Sequence, residues 1–215
     1  ESLIRPVLER SPEDIRAVML WTQLMIDQSS QSPFTLIAKT VAAYPDNQEL
    51  RLQYARLLGS ERDYASAQKQ FSILLERDPD NSELLSTAAL LDFELEYFDA
   101  ALQKFQQLIT LEARLDEANY YIGRIEMGRD RYPEAIEAFA AVGPSREFRD
   151  AKARASQLLI ETAFAHDIKA FFDEQRRAYP SAAEQLFLLE ADSLRDWTGE
   201  SLKAYDRGLT AFPQS

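Results

Sequence analysis

Apolar residues recur at intervals of three and four along most of the chain, which places them on one stripe of an α-helix. In DYASAQKQFSILLERDPDN (63–81), Ala67, Phe71 and Leu74 are spaced by four and then three positions and share one face. Short polar breaks separate the stripes: SPED (11–14), PDN at 45–47 and again at 79–81, and GPSR (143–146). Proline stops the outgoing helix at such a break, and Asp or Asn can cap the next. The pattern predicts helices throughout, paired antiparallel across tight turns. A first helix is expected over about 14–28 and a short second one, carrying Ile37, over about 33–43. Residues 1–10 read as the end of an earlier second helix. Beyond GPSR, a long helix is expected to end near Ala163 and its partner near Ala178, with a last pair from about Ala182 to Phe212.

The stripes return at an offset of 34 residues. Tyr64 becomes Phe98 and Tyr132; Ala67 becomes Ala101 and Ala135; Phe71 becomes Phe105 and Phe139; Leu74 becomes Leu108 and Val142. In the first helices Ala55, Ala89 and Gly123 align, and Pro45 and Pro79 stand in equivalent turns. Small residues at these positions let two helices approach closely, while the aromatic fills the space beside them. This is the period of the tetratricopeptide repeat, in which stacked hairpins share a continuous core because none can bury its face alone. The expected architecture is all-α: a right-handed solenoid of about six helix pairs after a leading half-repeat. As one domain over 1–215 it divides into 1–13, 14–47, 48–81, 82–115, 116–146, 147–181 and 182–215. In 147–181 the spacing blurs, with Ile168 and Phe172 as nearest equivalents; Tyr205 and Pro213 return to register. Because the chain begins at Glu1 and in mid-unit, a piece of a longer array is expected, with any targeting segment outside it.

Composition narrows the function classes. A hydrophobic content of 46% argues against disorder, and six glycines with nine prolines are too few for a turn-rich β protein. A formal net charge of −12 argues against nucleic acid as a partner, because phosphate binding needs clustered Lys and Arg. There is no cysteine, hence no disulfide, thiol nucleophile or zinc–thiolate site. The most apolar run, AVMLWTQLMI (17–26), is broken by Thr22 and Gln23 and reads as a core helix rather than a membrane span.

Catalytic constellations are missing. His166, in the AHD turn, is the sole histidine, so H-E-x-x-H metal sites and serine–histidine triads are excluded. No glycine-rich phosphate loop occurs, and neither cofactor nor metal is expected. The carboxylates of ELEYFD (94–99) offer an acid–base pair in principle but read as a solvated turn. SREFRDAKAR (145–154) mixes both signs and reads as a solvated helix face, or as a contact for an acidic partner. Trp21 and Trp197 fall at helical core or junction positions rather than in a ligand cage.

First helices line the concave wall of a solenoid, its usual partner-holding surface. Here that wall would carry Glu49, Leu52 and Arg56, then Glu83, Ser86, Leu90 and Phe93, then Glu117, Tyr120, Arg124 and Met127. The glutamates form a repeated acidic edge beside an apolar and aromatic strip. Two readings of the strip stand side by side: packing between repeats, or a groove for an extended or helical protein segment anchored by Leu52, Phe93 and Tyr120. The carboxylate clamp of co-chaperones, built from Lys and Asn, is not matched by Glu49, Leu52 and Arg56.

LRLQYARLL (50–58), YYIGRIEMGRDRYPEAIEAFAAV (120–142) and EQLFLLEADSLRD (184–196) carry a closer likeness, as does the irregular AAVGPSREFRDAKARASQLL (140–159). From about Leu50 to its end the chain resembles a family of tetratricopeptide-repeat lipoproteins of the gammaproteobacterial outer membrane. The resemblance implies a non-catalytic periplasmic adaptor, tethered by a lipid outside this chain. It would bind a carboxyl-terminal processing protease and help it degrade cell-wall hydrolases. It assigns no residue of a partner site. Two other readings stay open: a general assembly platform in envelope biogenesis or secretion, and an enzyme acting on cell-wall glycan through surface carboxylates.

Overall fold

The computed structural model describes residues 3–27, 34–162, 165–195 and 198–213. All regular structure among them is helical: α1 (Arg5–Arg10), α2 (Ile15–Asp27), α3 (Thr35–Ala43), α4 (Gln48–Ser60), α5 (Tyr64–Arg77), α6 (Ser82–Glu94), α7 (Phe98–Thr110), α8 (Leu115–Gly128), α9 (Tyr132–Ala141), α10 (Phe148–Thr162), α11 (Ala165–Ala178), α12 (Ala183–Ser193) and α13 (Thr198–Ala211). One 3₁₀ turn, Pro180–Ala182, precedes α12. The helices belong to two compact units, Glu1–Lys104 and Phe105–Ser215, with the division falling inside α7.

In the first unit the polar breaks cap the helices that follow them. Asn47 Oδ1 accepts the Leu50 N–H at 3.0 Å, and Asn81 Oδ1 accepts those of Glu83 and Leu84 at 3.2 and 3.1 Å. The last residue of each PDN is therefore the cap. Asp14 and Asp63 do the same for Ala17 and Ser66, and each such cap contributes about 1 kcal/mol. Ala67, Phe71 and Leu74 of α5 meet Ala55 and Leu58 of α4 and Ala88 and Leu91 of α6 in one buried cluster; Val18, Ile37, Val41 and Leu50 form another. Arg51 and Asp92 are among the polar groups buried with partners. Arg51 donates to Gln70 Oε1 at 2.7 Å and to the Pro45 carbonyl at 3.3 Å, and Asp92 accepts from Lys104 Nζ at 2.6 Å and Gln68 Nε2 at 3.1 Å. Trp21 is half-buried, with the Arg5 guanidinium 6.0 Å from its ring; Trp197 lies outside the described residues.

The turns inside the hairpins share a geometry that no glycine announces. Arg62, Glu96 and Asp130 have φ of 63°, 60° and 58° and are 34 residues apart. At each, the next residue's N–H reaches back five positions: Asp63 to Leu58 at 2.9 Å, Tyr97 to Asp92 at 2.8 Å, Arg131 to Glu126 at 3.0 Å. A second bond joins Arg62 to Gly59, Glu96 to Phe93 and Asp130 to Met127. These are Schellman closures with ordinary residues in the left-handed position.

The second unit packs Phe139, Phe148, Ala155, Ile168, Phe172 and Leu186 into one core. Ile168 and Phe172 are both fully buried, as their alignment with Ala135 and Phe139 predicts. Tyr205 does not face the core: it is 39% exposed, its hydroxyl 3.2 Å from Asp192 Oδ1, and the neighbouring Ala204 is buried instead. His166 also differs from expectation, its backbone lying in the first turn of α11; its side chain lies outside the described residues.

The basic run 145–154 is not a purely solvated face. Lys152 is fully buried, and its Nζ donates to the carbonyls of Phe139, Ala140 and Val142 at 3.2, 2.6 and 2.7 Å. Those carbonyls end α9, so the ammonium does there what a turn residue does elsewhere. The Tyr179 hydroxyl donates to the Ala141 carbonyl at 3.1 Å, and Asp116 Oδ1 accepts the Gly143 N–H at 2.6 Å. Phe148 and Tyr179 place ring faces 5.0 and 4.8 Å from the ammonium. Burial pulls the Lys152 ammonium down to about 7, against the opposing charge of Asp116.

Candidate functional site

In the first unit Glu49, the second residue of α4, is exposed and accepts a hydrogen bond from Gln53 Nε2 at 2.7 Å. Leu52, one turn on, is half-buried against the α4–α5 cluster. Arg56 is exposed and reaches Glu83 of α6 at 2.7 Å, an ion pair between successive first helices. Both side chains are about half in water, so the pair contributes under about 1 kcal/mol and opens readily. Leu90 and Phe93 are half-buried, and the Phe93 ring meets Phe98 edge-on at 5.8 Å. Ser86 is a correction. It is 3% exposed, because α6 is packed on several sides, with Leu85, Ala88, Ala89 and Leu91 all buried. Its hydroxyl does not reach the surface. Between the start of α4, the end of α5 and the start of α6 lies an open groove of about 380 Å³, floored by Leu52, Leu74 and Leu84 and edged by Glu49, Asp78 and Glu83.

In the second unit Tyr120, Arg124, Asp150 and Arg154 form a connected set. The Tyr120 hydroxyl and Arg154 Nε both donate to Asp150 Oδ2 at 2.6 Å, linking α8 to α10. The Arg124 guanidinium lies 5.8 Å from the Tyr120 ring centre and 5.4 Å from that of Tyr121, which stacks on Phe105 at 5.4 Å. Burial raises the Asp150 carboxyl, but the bonds from Tyr120 and Arg154 and the charges of Arg154 and Arg124 outweigh it and hold it below the ordinary value. Burial and the bond to Asp150 push the Tyr120 phenol up, so it stays a donor. Glu117 is half-buried, 3.6 Å from Arg114, and Met127 packs against the core. A second open groove, of about 420 Å³, lies beside Pro144, Arg149, Gln185 and Leu188.

Asp150 and Arg154 fall within the run 145–154 but not among the residues expected on the wall. Asp150 is the third residue of α10, as Glu117 is of α8. The connector through GPSR makes this step one residue shorter than the preceding ones, and a search at a fixed offset passes it by. Among the described residues, no group of three or more His, Cys, Asp or Glu is placed to hold a metal ion, and no helix is long and apolar enough to cross a membrane.

No family model matches the chain. A TPR repeat-containing protein of Pseudomonas aeruginosa is 28% identical over 102 residues, which make up 46% of this chain and 17% of that protein. Among solved structures, a tetratricopeptide repeat protein from Parabacteroides merdae has a TM-score of 0.55 at 13% identity, covering 96% of this chain and 83% of that one. YrrB, described as a TPR protein with an unusual peptide-binding site, has a TM-score of 0.53 at 14% identity and covers 83% and 93%. A double mutant of MamA reaches 0.57 at 14% identity, covering 86% and 96%. At these identities the likeness is one of fold: the chain has the all-α tetratricopeptide-repeat fold.

Proposed function

We propose that this chain is a non-catalytic scaffold that holds segments of other proteins against its first helices. The observation that carries the reading is the Tyr120–Asp150–Arg154 set with Arg124 laid beside it. Two successive first helices are tied by charge-assisted bonds, and the tie leaves aromatic faces and guanidinium groups partly open to solvent. Such a surface is pre-organised, so a partner need not order it on binding. Aromatic and arginine side chains are also the types that most often anchor interfaces. The peptide-binding site named for YrrB supports the reading by analogy of fold.

The finer reading is a periplasmic adaptor for a carboxyl-terminal processing protease and its cell-wall hydrolase substrates, held at the outer membrane by a lipid outside this chain. It rests on the resemblance of 50–58, 120–142 and 184–196 to the lipoprotein family, and it sits comfortably with the Pseudomonas aeruginosa relative. The test is retention of periplasmic proteins on the immobilised chain, read by mass spectrometry. The protease should be retained by the native chain and lost from Tyr120→Ala/Arg124→Ala, with helicity unchanged by circular dichroism. Retention of a different set of envelope proteins would favour the assembly platform. Retention indifferent to both substitutions would overturn the placement of the site.

A further inference from the structure

We propose that the groove floored by Leu52, Leu74 and Leu84 takes a protein segment in which an apolar side chain is flanked by lysine or arginine. This specifies the partner of the scaffold and rests on that reading. The apolar half follows from the floor: Leu52 and Leu84 are half-buried, and the groove above them holds about 380 Å³ of open space. A leucine-sized side chain entering it would complete their burial.

The basic half follows from the rim. Glu49, Asp78 and Glu83 stand around the opening against one lining cation, Arg77. Arg77 is already engaged, its Nη2 2.5 Å from Asp46 Oδ1. Arg56 reaches Glu83 from outside the groove through an exposed pair that a stronger partner can displace. Glu49 accepts a bond from the neutral Gln53 amide and has no ion pair among the described residues. Asp78 likewise accepts from a neutral group, Asn81 Nδ2 at 2.8 Å. An acidic segment would meet like charge on each edge, and a neutral one would leave Glu49 and Asp78 as they are. A cationic one finds two carboxylates whose bonds are to neutral amides and a third it can share.

The experiment is fluorescence anisotropy on the full chain with labelled peptides in which leucine alternates with lysine, glutamine or glutamate. The lysine peptide should bind about ten-fold or more tighter than the glutamate peptide, a gap that narrows as salt rises. Glu49→Lys/Glu83→Lys should reverse the order of the two peptides. Glu61→Lys/Glu76→Lys, with the same change in net charge at exposed sites off the groove, should leave it intact. Equal binding of all three peptides, or equal effects of the two double variants, overturns the proposal. Tyr120→Ala/Arg124→Ala keeps this groove, so partner capture unchanged in that variant, with the peptide order preserved, would count against the second-unit site alone. Capture that persists while the peptide order is absent would count against the groove alone.

Discussion

A Cβ placed on Gly123 would lie 2.7 Å from both Cδ1 and Cε1 of Phe139. The Phe139 ring, fully buried, rests on the bare backbone of α8. Glycine in a helix interior gives up about 1 kcal/mol relative to alanine, so contact with this ring is what the position gains in exchange. Gly123→Ala should therefore be destabilising on balance, by up to about 2 kcal/mol, since overpacking of about 1–3 kcal/mol is set against the propensity gain. Urea unfolding measures it. Adding Phe139→Leu should cost less in the Gly123→Ala background than alone, because the smaller side chain removes the clash; simple additivity would refute the contact.

Lys152 gives the second unit a pH dependence whose sign can be worked out. Its ammonium is drawn down to about 7 in the folded chain from an ordinary 10.5. Between those values the unfolded chain holds the proton and the folded chain sheds it, so stability rises with pH across the window. Below about 7 both states are charged and the cost of burial is present in full. Tyr179, beside it, is raised by burial and by Asp116 and stays neutral through most of the window. The urea midpoint of the native chain should climb from about pH 7 to about pH 9. Lys152→Met should be less stable throughout, with three carbonyls at the end of α9 and just past it deprived of their donor, and much flatter in pH. An equal climb in the variant would remove Lys152 as its source.

How far these features can be read from sequence depends on whether they leave a periodic trace. Ala67, Phe71 and Leu74 do, since burial on one helical face imposes their spacing, and Phe139 and Phe172 are buried at the expected places. Ser86 shows the limit of that logic: its position on the expected wall of first helices says nothing about how many neighbours α6 has. Lys152 was unreadable for the opposite reason. A lysine in a run of mixed charge looks solvated unless the carbonyls that receive it are known, and these are set by the irregular 142–147 connector. The left-handed residues are nearly as silent, because arginine and glutamate carry no signal for positive φ and aspartate only a weak one.

Those left-handed positions support a third prediction. Glu96 holds φ of 60° and is exposed. A side chain in this region costs about 1–2 kcal/mol, while glycine there costs about 0.5–1 kcal/mol in unfolded-state entropy. Glu96→Gly should thus stabilise the first unit by about 0.5–1 kcal/mol, and Glu96→Val should destabilise it. Asp130→Gly should gain less, because Asp130 Oδ1 also accepts the Tyr132 hydroxyl at 2.9 Å. Thermal denaturation of the three variants ranks them directly.

The last prediction concerns a buried charge in the final hairpin. Glu190 is fully buried and accepts from Arg176 Nη1 at 2.7 Å and from Arg207, tying α12 to α11 and α13. The Arg176 guanidinium also lies 4.1 Å from the Phe187 ring. Taking three charged groups out of water is costly, so the cluster as a whole need not add stability over well-packed apolar residues. Removing one member is another matter. Glu190→Ala leaves Arg176, nine-tenths buried, facing Arg207 with only the partly exposed Asp173 to balance it, and should cost up to about 3–5 kcal/mol. Glu190→Gln keeps an acceptor and should cost less. Arg176→Met/Glu190→Leu/Arg207→Met should recover most of the loss, since the uncompensated charges go with the carboxylate. Urea titrations of the three proteins separate the cases: a triple variant as unstable as Glu190→Ala would mean the carboxylate itself holds the hairpin, through contacts that leucine cannot replace.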